Sequence, residues 1–138
     1  MANGFFQHGV KHFALGDIVW KATGGDTPRT ALIDTADYTV DLANHEFLTS
    51  VAAAAREETS GNMTLVDAAA DGVVDASDIA LVGTAGDQCE GILVYDFETG
   101  DSDSALLFWW DSAPGLPVTL GGDVDIVWPN TADRIARI

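Results

Sequence analysis

Cationic side chains and cysteine are scarce in this chain. Its 138 residues include 6 Lys and Arg against 22 Asp and Glu, which gives a formal net charge of -16 and a pI near 4.1. Binding to nucleic acid or to an anionic membrane requires basic residues that neutralise phosphate groups, so the composition argues against both partners. The single cysteine, Cys89, cannot form an internal disulfide, and no paired-cysteine motif indicates a zinc site.

Long apolar runs are also missing. No stretch of about 18 apolar residues occurs, and the first residues lack a basic region followed by an apolar core, so we expect neither a membrane span nor a secretory signal. Disorder is not expected either, because hydrophobic residues make up 47% of the chain and the mean hydropathy is +0.13. We therefore expect one soluble domain over residues 1–138, made in the cytoplasm, with an acidic surface.

The acidic residues are unevenly distributed along the chain. Between Arg56 and Arg134 there is neither Lys nor Arg, although most of the Asp and Glu residues lie there. Ion pairs within this stretch cannot neutralise the carboxylates. They must therefore be solvated, bind cations or meet a basic partner surface.

Two segments have the apolar spacing of short helices. Apolar residues recur at helical spacing from Phe6 to Ala14, with Asn3 as the expected N-cap and Gly16 near the expected end. A second short helix is predicted over residues 44–55, where the apolar residues again fall on one face.

The rest of the sequence predicts a mainly β fold. Short runs rich in Val, Ile and aromatic residues alternate with turns rich in Asp, Gly, Ser and Pro, which is typical of antiparallel sheets. We therefore predict an antiparallel β-sandwich, with jelly-roll connectivity as one option. The predicted strands are residues 18–22, 30–35, 63–66, 72–74, 79–82, 91–97, 105–111, 124–128 and 134–138.

Two acidic segments contain enough carboxylates to suggest calcium, which takes about six to eight oxygen ligands. Neither residues 71–78 nor residues 96–103 match the calcium-loop pattern, so we interpret them as acidic turns. His8 and His12 have the spacing of a metal-binding pair on a helix, but no third ligand is near in sequence. We interpret them as residues of a solvent-exposed helix face and predict no metal site.

Motifs for catalysis are absent from the sequence. There is no G-x-S-x-G motif and no glycine-rich phosphate loop followed by Lys. Cys89 is next to Glu90, whose charge disfavours a thiolate, so we predict a structural thiol. Paired carboxylates are uninformative when 22 acidic residues are present. We predict no catalytic residue, no cofactor and no enzymatic activity.

Aromatic residues provide a stronger signal. Phe108, Trp109 and Trp110 are consecutive in a predicted strand, so Trp109 must point to the face opposite the other two. One of these faces then presents a large ring outside the main core, unless a helix of the chain or another subunit covers it. Exposed rings of this kind are typical of protein interfaces and sugar-binding faces. Trp20 and Trp128 are expected in the core.

Eight segments occur in order along most of the chain: ALIDTADY (31–38), HEFL (45–48), DASDI (75–79), GDQ (86–88), ILVY (92–95), GLPVT (115–119), GGDV (121–124) and WPN (128–130). Together they resemble a family of small β-rich structural proteins from the virions of tailed bacteriophages. Two features depart from the family pattern: the loop over residues 24–29 is longer, and the acidity is extreme.

The resemblance implies a virion component without catalytic residues, located on the particle. A head decoration or cement protein is the preferred interpretation, with a tail or neck accessory protein as an alternative. The implied partners are the major capsid protein and further copies of this chain, as a homo-oligomer. A carbohydrate-binding β-sandwich is the competing class, because a flat aromatic strand also suits sugars. We expect contacts through the exposed part of the first helix, free strand edges and Phe5, Phe6, Phe108, Trp109 and Trp110.

Overall fold

The computed structural model describes residues 3–67, 72–130 and 135–137. Over these residues the structure is mainly β, with antiparallel strand pairs and one α-helix, as the sequence predicts. No helix among them is long and apolar enough to cross a membrane. The elements are β1 (Gly4–Phe5), α1 (Gln7–Leu15), β2 (Pro28–Ile33), β3 (Arg56–Thr59), β4 (Leu65–Val66), β5 (Val73–Ala76), β6 (Ile79–Leu81), β7 (Gly91–Asp96), β8 (Ala105–Trp110), β9 (Val124–Ile126) and β10 (Ala136–Arg137).

The strands form a central sheet and two smaller ones. The central sheet has five strands in the order β1-β8-β7-β2-β3, and the smaller sheets are β10-β5-β4 and the pair β6-β9. β7 lies at the centre, where Leu93 pairs with Ala31 on one side and with Trp109 on the other. Its sequence and that of β8 are nearly continuous apolar runs, which indicates that both faces of this sheet are covered.

Two apolar clusters cover the two faces of the central sheet. The first combines sheet residues such as Leu32, Val94 and Phe108 with residues of the smaller sheets and their connections, as in a β-sandwich; its other members include Ile18, Met63, Leu65, Val74, Ala76, Leu81, Ile126, Trp128 and Ile135. The second combines the opposite face with the chain between β2 and β3; it contains Phe6, Ala31, Ile33, Tyr38, Leu48, Val51, Ala55, Leu93, Tyr95, Leu106 and Trp109.

The N-terminal helix forms as predicted but is capped differently. Phe6, not Asn3, occupies the N-cap position, and its side chain makes no capping hydrogen bond. The Asn3 side chain instead joins the end of β8, because its Oδ1 accepts the backbone N–H groups of Asp111 and Ser112 at 2.9 and 3.0 Å. Gly9 is required where the helix contacts β8, since a Cβ there would overlap the carbonyl oxygen of Leu106.

The predicted strand over residues 18–22 is wrong. These residues form a turn-containing loop that folds back on itself: the Val19 N–H bonds to Asp26 Oδ2, and the Asp26 N–H donates to Val19 O at 2.8 Å. Ile18 is buried in the first cluster and Trp20 packs against it. Trp20 was predicted to lie in the core and is partly buried there, but the backbone of Val19 bonds within the loop instead of to a neighbouring strand.

The predicted α-helix over residues 44–55 is also wrong. This span contains two short 3-10 turns, Leu48–Ser50 and Ala53–Ala55. The backbone bonds to the end of the β7–β8 hairpin instead: Leu106 N–H donates to Glu46 O, and Leu48 N–H donates to Ser104 O, both at 2.9 Å. These long-range bonds replace those of a helix, while Leu48, Val51 and Ala55 still face the core.

The other predicted strands correspond to observed ones with shifted ends. The predicted strand over residues 134–138 contains β10, but residues 134 and 138 lie outside the described part of the chain. β1 and β3 were not predicted, because β1 is very short and the sequence of β3, REET, is polar.

Candidate functional site

The aromatic strand β8 was the main predicted interface, and the structure buries most of it. Trp109 faces opposite Phe108 and Trp110, as predicted, but Trp109 is 0% exposed and Phe108 is 1% exposed. Phe6 is also buried, in the same cluster as Trp109. The prediction that Phe6, Phe108 and Trp109 offer contact surface is therefore wrong.

The chain's own residues cover both rings. On one face, Phe5, Phe13 and Trp20 lie around Phe108, at ring-centroid distances of 5.5, 6.1 and 6.0 Å. On the other face, the Tyr38 ring meets the Trp109 indole edge-to-face at 5.7 Å. From the sequence, a helix of the chain was one candidate to cover Trp109. In the structure, the irregular chain between β2 and β3 covers it.

Phe5 and Trp110 are only partly buried. They line a shallow groove of about 210 Å3, whose other lining residues are Asn3, Gly4, Phe108, Ile135 and Ala136. The prediction that these two side chains contact a partner stays open, because the groove leaves part of each ring accessible.

The most exposed apolar surface of the described residues lies elsewhere, on the β6–β9 pair. Val82 follows β6 and is 78% exposed, and Val127 follows β9 and is 67% exposed. Side chains alternate across both strands, so Leu81 and Ile126 point to the core while these valines point outward. We call Val82, Val127 and the exposed Asp123 and Asp125 the valine face. The sequence alternation could have identified it.

Cys89 is buried, and His12 lies between two carboxylates. Burial and the nearby Glu57 and Glu90 raise the pKa of Cys89 to about 12, which agrees with a structural thiol. The imidazole nitrogens of His12 lie 3.0 Å from Asp17 Oδ2 and from Glu46 Oε1. No serine or threonine hydroxyl is among these partners, so the arrangement is not that of an activated nucleophile.

The two histidines on α1 are less exposed than predicted. His12 has a side-chain exposure of 16% and His8 of 33%, and both lie near the carboxylate of Glu46. They join the helix to the chain preceding the first 3-10 turn. The prediction of a solvent-exposed helix face is corrected for His12, which has a structural contact on each side.

The acidic segment over residues 96–103 is divided among separate roles. Asp103 accepts hydrogen bonds from the N–H groups of Thr99 and Gly100 at 3.2 and 2.9 Å, as a turn-stabilising residue. Asp101 accepts one from Arg56 Nη2 at 2.7 Å. In the other segment, Asp78 Oδ1 accepts the Trp128 N–H at 2.9 Å, and residue 71 lies outside the described residues. These contacts support the interpretation of Asp78, Asp101 and Asp103 as residues of acidic turns, whereas Asp96 and Glu98 belong to a carboxylate cluster.

Two clusters of carboxylates were not predicted, since each of them brings together segments that are far apart in sequence. In each cluster, three carboxylate oxygens lie within 4.8 Å of one another. One cluster is formed by Asp26, Asp96 and Glu98, and the other by Asp34, Glu57 and Asp87.

No protein-family model matches the chain, and no curated protein matches it either. A functional assignment must therefore come from the chain's own residues and their arrangement.

Proposed function

We propose that this chain is a non-enzymatic structural component of a tailed-phage virion, a decoration protein that binds the outside of the head and stabilises it. The observation that carries the proposal is the ordered series of segments that resembles small virion proteins of this kind. Those segments include the central part of β7, the second half of β2 and the corner between β5 and β6. They are framework elements, so the resemblance involves the parts that determine the fold.

The chemistry of the described residues supports a structural role. A decoration protein acts by burying surface across subunit boundaries, which stabilises the shell by mass action, and it needs no nucleophile. The buried Cys89 and the carboxylate-bound His12 are consistent with this role. A net charge of -16 also suits a position outside the shell, away from packaged DNA.

The valine face is the surface through which we expect this protein to contact the coat. Val82 and Val127 are the most exposed large apolar side chains among the described residues, and they lie at the two ends of the β6–β9 pair, so a partner that covers this pair would remove both from water. Asp123 and Asp125 lie on the same pair of strands, at its outer side. The complementary surface is therefore apolar with basic residues at its rim.

A carbohydrate-binding module is less well supported. That alternative depended on a flat aromatic strand available to a sugar ring. Because Phe108 and Trp109 are enclosed by the chain itself, β8 offers a sugar only part of the Trp110 ring.

Mass spectrometry of purified particles tests the proposal. We expect the protein at high copy number, comparable with that of the coat protein. A copy number of about a dozen or fewer would indicate the neck or tail instead, and absence from purified particles would refute a virion role. A density map of the particle would then locate the protein.

Variants separate the contact surface from the fold. We expect the double variant Val82→Gln with Val127→Gln to fold normally but to be lost from particles, because both side chains are largely in solvent and the change adds no charge. Leu15→Gln tests the other predicted contact surface, the exposed part of α1, since Leu15 is 65% exposed. If Leu15→Gln is lost from particles and the double variant is retained, the contact lies on the helix rather than on the valine face.

A further inference from the structure

Three carboxylates face one another at one end of the β2–β7 pair. Pro28 pairs with Asp96 at the end of this ladder, and the Phe97 N–H continues it by donating to Thr27 O at 3.2 Å. Extending the same register by one more position places Asp26 opposite Glu98. Because side chains alternate along a strand, Asp26, Asp96 and Glu98 share one face. This agrees with the 4.8 Å limit within which their oxygens lie.

Asp96 is buried without a partner for one of its oxygens. The residue is 1% exposed, and its Oδ1 has no hydrogen-bond partner among the described residues. Burial, the charge of Asp26 and the contact with Glu98 together raise the pKa of Asp96 to about 7, with burial as the largest cause. A buried carboxylate is normally paired or bound to a metal, so this oxygen requires an explanation.

The described part of the chain supplies no cation for this cluster. Arg29 is the nearest base in sequence, but it belongs to the opposite face of β2, where its guanidinium lies 3.7 Å from the centre of the Phe97 ring. Its Nε donates to Asn62 Oδ1 at 2.8 Å. None of the ion pairs among the described residues involves Asp26, Asp96 or Glu98. Like charges opposite each other on a ladder destabilise it.

We propose that Asp26, Asp96 and Glu98 form a binding site for one divalent cation, with calcium as the preferred ion. Carboxylate oxygens are the ligands that calcium prefers, and it accepts irregular geometry, whereas magnesium demands a near-octahedral shell. Asp26 Oδ2 already accepts the Val19 N–H, so Asp26 has its other oxygen to offer. The bound ion connects the loop before β2 to the hairpin after β7.

The second acidic cluster provides an internal comparison. Asp34, Glu57 and Asp87 are equally close together, but Asp34 Oδ1 accepts the Ala36 N–H at 2.8 Å. Glu57 Oε2 accepts the Asp87 N–H at 3.2 Å. No buried oxygen of this cluster is without a partner among the described residues. We therefore assign the cation to the first cluster only.

Calorimetric titration and thermal unfolding test the proposal. Protein treated with a chelator and dialysed is titrated with CaCl2 at about pH 8, above the pKa of Asp96. We expect one site per chain. We also expect Tm to rise by about 5 to 10 °C at a calcium concentration near 100 times Kd. MgCl2 gives a smaller rise, and NaCl at matched ionic strength measures the general effect of salt on an acidic protein.

Site variants distinguish a bound cation from general screening. Asp96→Asn keeps the side-chain shape and is expected to weaken calcium binding by at least about tenfold, the loss that even outer-shell changes cause. Glu98→Gln, at an exposed position, is expected to do the same and serves if Asp96→Asn does not fold. Asp87→Asn removes an equal charge from the second cluster and should leave the affinity unchanged.

A shared proton between Asp96 and Glu98 is the competing explanation for the unpartnered oxygen. In that case, calcium stabilises the parent protein no more than NaCl at matched ionic strength does, which would overturn the proposal. An effect of calcium that is equal in the parent protein, Asp96→Asn and Glu98→Gln would overturn it as well. Neither result bears on whether the protein is found in particles.

Discussion

Gly91 on β7 lies directly against the indole of Trp109 on β8, so closely that a Cβ at position 91 would overlap the ring. Trp109 is fully buried and also meets Tyr38 edge-to-face, so its ring has no free direction in which to move. Only glycine therefore fits at position 91 against Trp109 in the second apolar cluster.

Gly91→Ala is expected to destabilise the protein by about 1 to 3 kcal/mol, the usual cost of overfilling a packed core. Chemical denaturation followed by tryptophan fluorescence measures the free energy of unfolding. Gly61→Ala is the matched control, because a Cβ there would meet nothing within 4 Å, and its effect should stay within about 0.5 kcal/mol. Equal losses of unfolding free energy in the two variants would show that Trp109 leaves room for a Cβ at position 91.

Cys89 is expected to react very slowly with thiol reagents in the folded protein. Burial is the largest cause that raises its pKa to about 12, and the charges of Glu57 and Glu90 add to it, so at about pH 8 almost none of the thiol is ionised. Labelling with a chromogenic disulfide should become rapid only when denaturant is added. Complete labelling of the native protein as fast as that of the unfolded protein would contradict this burial.

The pH dependence of stability is expected to carry a contribution from Asp96. In the folded protein its pKa is raised from 3.8 to about 7, with burial as the main cause, so folding favours the protonated form. The unfolded state then releases this proton first, and the free energy of unfolding falls as the pH rises from about 4 to about 7. Above that range, the contribution of Asp96 stays constant.

Comparison with Asp96→Asn in the presence of a chelator isolates this contribution, because the other carboxylates are common to both proteins. We expect the stability of the parent protein relative to the variant to decrease between about pH 4 and pH 7. Parallel pH profiles for the two proteins would show that Asp96 titrates alike in the folded and unfolded states.

Arg56 is the last base before the long acidic stretch, and its guanidinium binds both a backbone carbonyl and a carboxylate. Its Nε and Nη2 both donate to Val51 O, at 3.0 and 2.7 Å, and Nη2 also donates to Asp101 Oδ2 at 2.7 Å. Arg56→Lys cannot make this double contact and should cost about 1 to 2 kcal/mol. Asp101→Asn removes only an exposed ion pair and should cost under about 1 kcal/mol. Chemical denaturation measures both costs. A larger loss of unfolding free energy for Asp101→Asn than for Arg56→Lys would show that the ion pair contributes more than the bonds to Val51 O.

The sequence predicts elements whose local pattern decides their structure. β7 and β8 were found because an apolar run between strong turns has few alternatives, and α1 was found from its spacing. The chain over residues 44–55 has a helical pattern as well, but its backbone bonds to Ser104 and Leu106, which no local pattern reveals. A long-range partner thus overrides the local preference.

The two carboxylate clusters were beyond prediction for a related reason. Asp26 and Asp96 meet only because β2 and β7 are neighbours in the sheet, and the sequence of neither segment predicts that these strands pair. The interface prediction for Trp109 failed in the same way. Alternation correctly placed its ring opposite Phe108, but the chain that covers it comes from between β2 and β3.

Binding of the protein to the particle is expected to weaken as NaCl is increased. The valine face carries Asp123 and Asp125, and the stretch around it contains no Lys or Arg between Arg56 and Arg134, so its attraction to a basic coat surface is electrostatic and is screened by salt. Co-sedimentation of added protein with particles that lack it, over a series of NaCl concentrations, measures the effect.

Asp125→Asn should bind more weakly at low salt and depend less on NaCl than the parent protein. Asp37→Asn, at an exposed residue between β2 and β3, is the matched control. Binding of the parent protein that is unaffected by NaCl would place the acidic surface on the outside of the particle, facing solvent.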